Sequence, residues 1–578
     1  MRTAAWLLAI TLLATAAPSA QGFDPTSDRE THLLSRSMFG GFPNGPSRDP
    51  KFSKDGQGAR LAAFDSDASD LVPGDTNGHT DVFVVRRGGH FTTDRGEPWQ
   101  PAGGAQLVSV GLDGKPANGS SYTPDLDGSS LDRRPHCIAF VSKASNLVPH
   151  DTNGTADAFV RDLRSGKTRR VSEASNGAQS NGTSFDVQLD GQCSRVAFTS
   201  DASNLYLRRS DVNGNRFRRS LVTAAPSRGT KQVYVHLLDG KGGDNRGLDG
   251  VTFLASASDR GIPGRGDSYD VSLGQRGGGC LVRRCGTTSG DSLSFTSEAE
   301  NLTAGDHNGQ PDIYQRDFQR PVLSARQRRH GKKSYLTMNT TLVSATPSGR
   351  VGNGASTRSA INDRGSYVAF ETLATNLVPG DTNNVSDVLL RGLHENRRKA
   401  TWHASKAKQT GQANAGSYNP TITSPASILF YESDASNLQA NPASRPGVFH
   451  DRNCARDIFF WNYVSTNASL QSRDSDQHIT NLPEDSNRPV TDPCPPVVAS
   501  GSSNPASSYY GNYFMWESSY PLFDLPLAQR ALPGLTKSIV AAAQLSRNDE
   551  SLHQVYLRYN GPASAEARFP ASRWPLPK

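Results

Sequence analysis

Beyond its first twenty-two residues the chain has no long apolar run, so nothing after that point predicts a membrane-spanning helix. Apolar residues make up only 35% of it, against 54 Gly and 35 Pro, the composition of short strands joined by many tight turns. No Gly-x-Ser-x-Gly elbow occurs, which removes the usual sign of an appended serine hydrolase. Gly290-Asp291-Ser292-Leu293 spells an esterase string, but it falls at the start of a repeated strand and is set down to coincidence. The 13 His include no pair at metal-binding spacing, and His79 and His307 read as exposed loop residues. A basic stripe is missing too: the formal charge is +7, yet Lys and Arg are scattered among Asp and Glu, so nucleic acid is not an expected partner.

What is present begins with a leader. Arg2, an apolar run from Ala4 to Ala17 and the small residues up to Gly22 form a secretory signal over residues 1–22, so the mature chain is expected outside the cytoplasm, secreted or periplasmic. Six cysteines, an even number in an exported chain, favour disulfides over metal thiolates. Cys280 and Cys285 can staple a small loop. Cys137 and Cys193 each precede the apolar strand of neighbouring repeats and can bridge them. Cys454 and Cys494 are then left for each other.

The dominant feature is repetition. Phrases such as IAFVSKASNLV (from Ile138) and VAFTSDASNL (from Val196) recur, most of them followed by an acidic loop and a strand, as in GDTNGHTDVFV from Gly74. Each repeat divides into four strands, a to d, by apolar alternation between turn residues. The b strands centre on Phe64, Phe140, Phe198, Phe295, Phe370, Phe430 and Phe514, and the c strands begin at Asp81, Asp157, Gln232, Asp312, Asp387, Asp457 and Gln554. Only six d strands follow; the seventh is supplied from the other end of the chain, by THLLS from Thr31. The expectation is an all-β protein, a single seven-bladed β-propeller over residues 23–560 with a tail at 561–578. Its ring closes when the N-terminal strand joins the last blade, with six blades as the fallback. A long insertion between Ser518 and His553 carries the one helical stretch, Leu535 to Arg547, and should share a face with the acidic loops.

Those loops carry the metal expectation. Asp75, Asn77 and Asp81 stand at relative positions 1, 3 and 7, as do Asp151, Asn153 and Asp157, then Asp306, Asn308 and Asp312, then Asp381, Asn383 and Asp387. Two carboxylates, an amide oxygen and free carbonyls in a tight loop are a donor set for calcium. The opposing reading is that Asp and Asn merely close the turn with their own side chains. Asp211 and Asn213 keep part of the pattern, but Phe217 stands at position 7. Tyr509, Tyr510 and Tyr520 flank the last b strand and could line a binding mouth, whereas Phe514 and Trp516 should be core.

The phrase VPHDTNGTADAFVRDL from Val148 resembles the exported bacterial branch of the TolB-like, WD-repeat-like β-propellers, over nearly the whole mature chain. The resemblance implies a propeller, an extracytoplasmic location and a binding role. The expected function is a secreted, calcium-stabilised propeller, a monomer, that binds or scaffolds a protein or a cell-envelope glycan. The alternative is a secreted carbohydrate-active lyase or hydrolase with its acid and base converging at the channel mouth.

Overall fold

The computed structural model describes residues 31–39, 42–54, 59–87, 104–128, 135–207, 222–238, 250–274, 292–319, 337–393, 400–407, 411–423, 428–438, 456–463, 467–470, 502–507, 513–518 and 554–559. These form seven four-stranded antiparallel sheets and no helix. In six of them the order is a-b-c-d along the chain; the seventh is built from both ends, in the order Thr31–Leu33, Gln554–Tyr559, Tyr513–Ser518, Ser502–Ser507. Thr31 pairs with Arg558, His32 with Leu557 and Leu33 with Tyr556, so the expected closure is present and covers the edge of Gln554–Tyr559.

Seven a strands lie innermost: Ser47–Phe52, Ser121–Leu126, Ser184–Leu189, Ser268–Leu273, Ser356–Ile361, Ser417–Ile422 and Ser502–Ser507. Each touches the next, and the last touches the first, which makes the array a closed ring of seven blades.

The blades bury almost every side chain of their b strands. Leu61–Ser66, Cys137–Ser142 and Arg195–Ser200 are buried at all six positions, because each sheet is covered on both faces by its neighbours. A cross-strand aromatic pair recurs between b and c: Phe64 with Phe83 at 6.0 Å, Phe140 with Phe159 at 5.9 Å, and Phe295 with Tyr314 at 5.8 Å between ring centres. In the last two blades the repeated aromatic sits later than the sequence spacing suggests, by one residue in the sixth and two in the seventh. Tyr431 stacks on Phe459, and the fully buried Trp516 takes the matching place in Tyr513–Ser518.

Cys137 and Cys193 form the expected disulfide between the second and third blades, with a Cα–Cα distance of 6.0 Å. The other four cysteines, the expected helix, the signal segment, the tail, Tyr509, Tyr510, Tyr520, and Asp211, Asn213 and Phe217 all lie outside the described residues. Among the described residues no helix is long and apolar enough to cross a membrane.

Candidate functional site

The acidic loops are built as hydrogen-bonded clasps. Asp81, Asp157, Asp312 and Asp387 each open a c strand and are fully buried. Each accepts a hydrogen bond at 2.5–2.6 Å from a serine just past the d strand, Ser109, Ser172, Ser344 and Ser405 respectively. The same serine oxygens accept the backbone N–H of the residue after the aspartate, Val82, Ala158, Ile313 and Val388. In three loops the asparagine amide nitrogen supplies the other partner: Asn77 to Asp81 at 2.5 Å, Asn153 to Asp157 at 2.8 Å and Asn308 to Asp312 at 2.7 Å.

That nitrogen also donates across to the link entering the next blade, at Ala117, Ser180, Gly352 and, from Asn383, Ala413. The amide oxygens accept N–H groups of their own turns, from His79, Thr155, Gln310 and Val385. The oxygen expected to face a cation is therefore engaged inside the turn. Third and seventh blades do the same job with one residue. Gln232 accepts from Ser256 at 2.6 Å and donates to Gly264 at 3.1 Å; Gln554 accepts from Ser35 at 2.8 Å and donates to Gly45 at 3.0 Å.

The four acidic pairs differ in their surroundings. Arg170 reaches Asp151 at 3.2 Å and Asp157 at 3.9 Å, and His403 lies 2.8 Å from Asp387, so two loops carry a cationic or protonatable partner of their own. Register places Leu107 and Leu342 at the matching positions of the first and fourth blades. Burial nonetheless pushes Asp157 up to about 6 beside Arg170, as it does Asp81 to about 6 and Asp312 to about 7. Asp306 accepts from the Tyr314 hydroxyl through one oxygen, and its Oδ1 is buried without a hydrogen-bond partner; so is Oδ1 of Asp381. The residues fit calcium only through these carboxylates, not through the amides.

A different constellation surrounds the axis. The third residue of each a strand forms a ring: Asp49, Thr123, Asp186, Asp270, Arg358, Asn419 and Asn504. Six of these seven have φ of 48–52°, left-handed values that cost a non-glycine residue of order 1–3 kcal/mol. Each a–b ladder shifts register in this part of the strand. In four blades the twist directs the backbone N–H into the preceding blade, where the fifth residue of the b strand accepts it. Asp49 donates to Glu517 at 2.7 Å, Asn419 to Glu371 at 2.8 Å, Asn504 to Glu432 at 2.9 Å and Arg358 to Thr296 at 3.2 Å.

The side chains extend the girdle. Asn419 donates to Asn504 at 2.9 Å, and Asn504 to Glu517 at 2.6 Å. Beside them Asp49 and Asp65 share a hydrogen bond; burial, then like charge, raises Asp49 to about 6 and lifts Asp65 well above the carboxylate range. Across the ring burial raises Asp186, and burial followed by the Asp186 charge pushes Asp270 up to about 6. Arg358, with 54% of its side chain exposed, is the ring member of opposite sign; its Nε lies 4.0 Å from Glu371.

No family model and no curated protein matches the chain. Solved structures do. A TolB structure described as putative, from Agrobacterium tumefaciens, is 9% identical over 63% of this chain and 83% of its own, with a TM-score of 0.31. An oligogalacturonate lyase from Vibrio parahaemolyticus is 9% identical over 93% and 98%, with a TM-score of 0.40. The acylaminoacyl peptidase of Pyrococcus horikoshii is 9% identical over 86% of this chain and 50% of its own, with a TM-score of 0.34. These are likenesses to propeller-containing structures; the seven-bladed ring itself rests on the strand pairing above.

Sequence reasoning singled out the repeated acidic loops and missed the axial ring. Position three of the a strand reads Asp, Thr, Asp, Asp, Arg, Asn, Asn, and its neighbours vary as well, so nothing local in the sequence marked the ring. Ser292 of the esterase string is buried at the start of a b strand, in agreement with its dismissal.

Proposed function

We propose that this protein is an exported binding propeller whose axial ring receives the positively charged side chains of a protein partner. The observation that carries the reading is the concentration of Asp49, Asp65, Asp186, Asp270, Glu371, Glu432 and Glu517 around the axis of a chain whose formal charge is +7. Basic groups entering the ring would meet carboxylates already desolvated by the fold, where each contact is stronger than at an open surface. Binding of a Lys- and Arg-rich peptide should weaken about tenfold in Asp270→Asn and fall with added salt. Equal affinity for the variant, or preference for a neutral glycan, would overturn it.

Calcium belongs to this proposal as a guest of the carboxylate pairs, on the strength of the partnerless buried oxygens of Asp306 and Asp381. A melting scan with calcium and with chelator tests it: a rise of the midpoint with the ion supports binding to the native ring, and coincident curves remove the metal. One observation favours the enzymatic alternative. Burial raises both Asp49 and Asp65, with the charge of Glu517 adding at the first and that of Asp49 at the second, the setting that keeps a carboxyl protonated for use as a general acid on a glycan substrate. Polysaccharide turnover abolished by Asp65→Asn would decide for that reading.

A further inference from the structure

On the face carrying the a–b turns, four side chains of mixed chemistry converge between the second and third blades. Asp127 follows the a strand Ser121–Leu126, His136 and Cys137 enter the b strand, and Cys193 sits in the next blade's a–b turn. One ligand atom from each lies within 4.8 Å of all the others. Oδ1 of Asp127 is held by the backbone N–H groups of His136 at 2.7 Å and Cys137 at 2.9 Å, so the carboxylate is oriented before anything binds. Its other oxygen stands 2.9 Å from Nδ1 of His136, yet the two are not aligned as a hydrogen bond, and both are buried without one. A carboxylate 1% exposed and an imidazole nitrogen thus face the same point as the two sulfurs.

We infer that the reduced chain holds a zinc ion at Asp127, His136, Cys137 and Cys193, and that this site and the Cys137–Cys193 disulfide are alternative states of one pin between two blades. Two thiolates, one imidazole and one carboxylate form a complete tetrahedral donor set. Ligand atoms in such a site lie about 3.5–3.8 Å apart, so the main movement is the separation of the sulfurs. The interconversion balances with a dithiol as reductant. Two electrons and two protons pass from the dithiol to the protein disulfide, giving two protein thiols and an oxidised dithiol. Zinc then displaces the two thiol protons. Oxidation by a small disulfide reverses both steps and releases the ion. The backbone bonds to Asp127 serve as the outer shell that metal sites require.

The test uses the full chain, reduced with excess dithiothreitol, given zinc, desalted without oxygen and analysed for metal and free thiols. Because four other cysteines are present, the readout is a difference. The reduced wild type should retain one more zinc per chain than the Cys137→Ser, Cys193→Ser double variant, and oxidised glutathione should release that ion as two thiols disappear. His136→Asn removes one of the four ligands and should give up this one ion to a chelator that leaves the wild-type site loaded. It should still form the disulfide in air, which reports that it folds. Equal zinc content in wild type and double variant, or full retention in His136→Asn, overturns the inference, including the case in which an unfolded reduced chain collects zinc through its thiols alone.

Discussion

At Asn308 a single amide satisfies a buried carboxylate, a carbonyl of the link to the next blade and its own turn. Replacing it by Ala strands one oxygen of Asp312, and leaving a buried polar group unpaired costs about 1–3 kcal/mol. Asn308→Ala should therefore lower the unfolding free energy by that amount, seen as a lower denaturant midpoint with the slope unchanged; a loss within error would show that water takes over. The Asp-Asn combination was legible in the sequence because it repeats, but its chemistry was not. Both metal binding and turn closure ask for oxygen-bearing side chains at the same spacing, and only the hydrogen-bond partners show which way the amide faces. Gln232 and Gln554 make the point, since they perform the same clasp with no trace of the loop motif.

Among elements, one of the shortest strands has the widest effect. Thr31–Leu33 contributes three residue pairs, and Ser35 just beyond it accepts the N–H of Val555 while donating to Gln554. Deleting residues 23–35 leaves Gln554–Tyr559 as an open edge. The shortened chain should show protease cleavage in the seventh blade first, or self-associate through it; a monomer as resistant as the parent would mean the closure adds nothing. The disulfide spans a sequence separation of 56, and constraining a loop of that size is worth about 2–4 kcal/mol. The double Cys137→Ser, Cys193→Ser variant should melt lower, and a chelator should not shift it further through this site. Strand count, order and closure were legible because each strand carries its own alternation. The left-handed residue of six of the a strands was not, since Asp49, Arg358 and Asn419 share no local signature.

For the whole ring, stability and binding pull in opposite directions. Asp270, raised to about 6, and Asp186 and Glu432, also raised by burial, hold protons more tightly in the folded chain than in the unfolded one. Between about pH 4 and 6 the native state therefore binds more protons, and its stability falls as pH rises through that window. The thermal midpoint should drop from pH 4.5 to 7.5. Asp270→Asn should melt above wild type at pH 7.5 and close to it at pH 4.5, while losing peptide binding. A variant that loses stability at pH 7.5 would instead assign Asp270 to the scaffold.

By itself, the sequence determined the number of blades and the closing strand, and offered the bridge between Cys137 and Cys193 that the structure forms, because repetition and alternation are local properties that a reader can count. Only the tertiary structure decided which residues meet at the axis. Asp49 and Glu517 are joined by closing the circle, Glu371 and Asn419 by the stacking of neighbouring blades, and no spacing along the chain encodes either contact. The repeated residues hold the blades together by one clasp geometry, which an Asp-Asn pair or a single glutamine satisfies. The ring residues need share only a backbone conformation, so their side chains are free to differ and to carry the recognition.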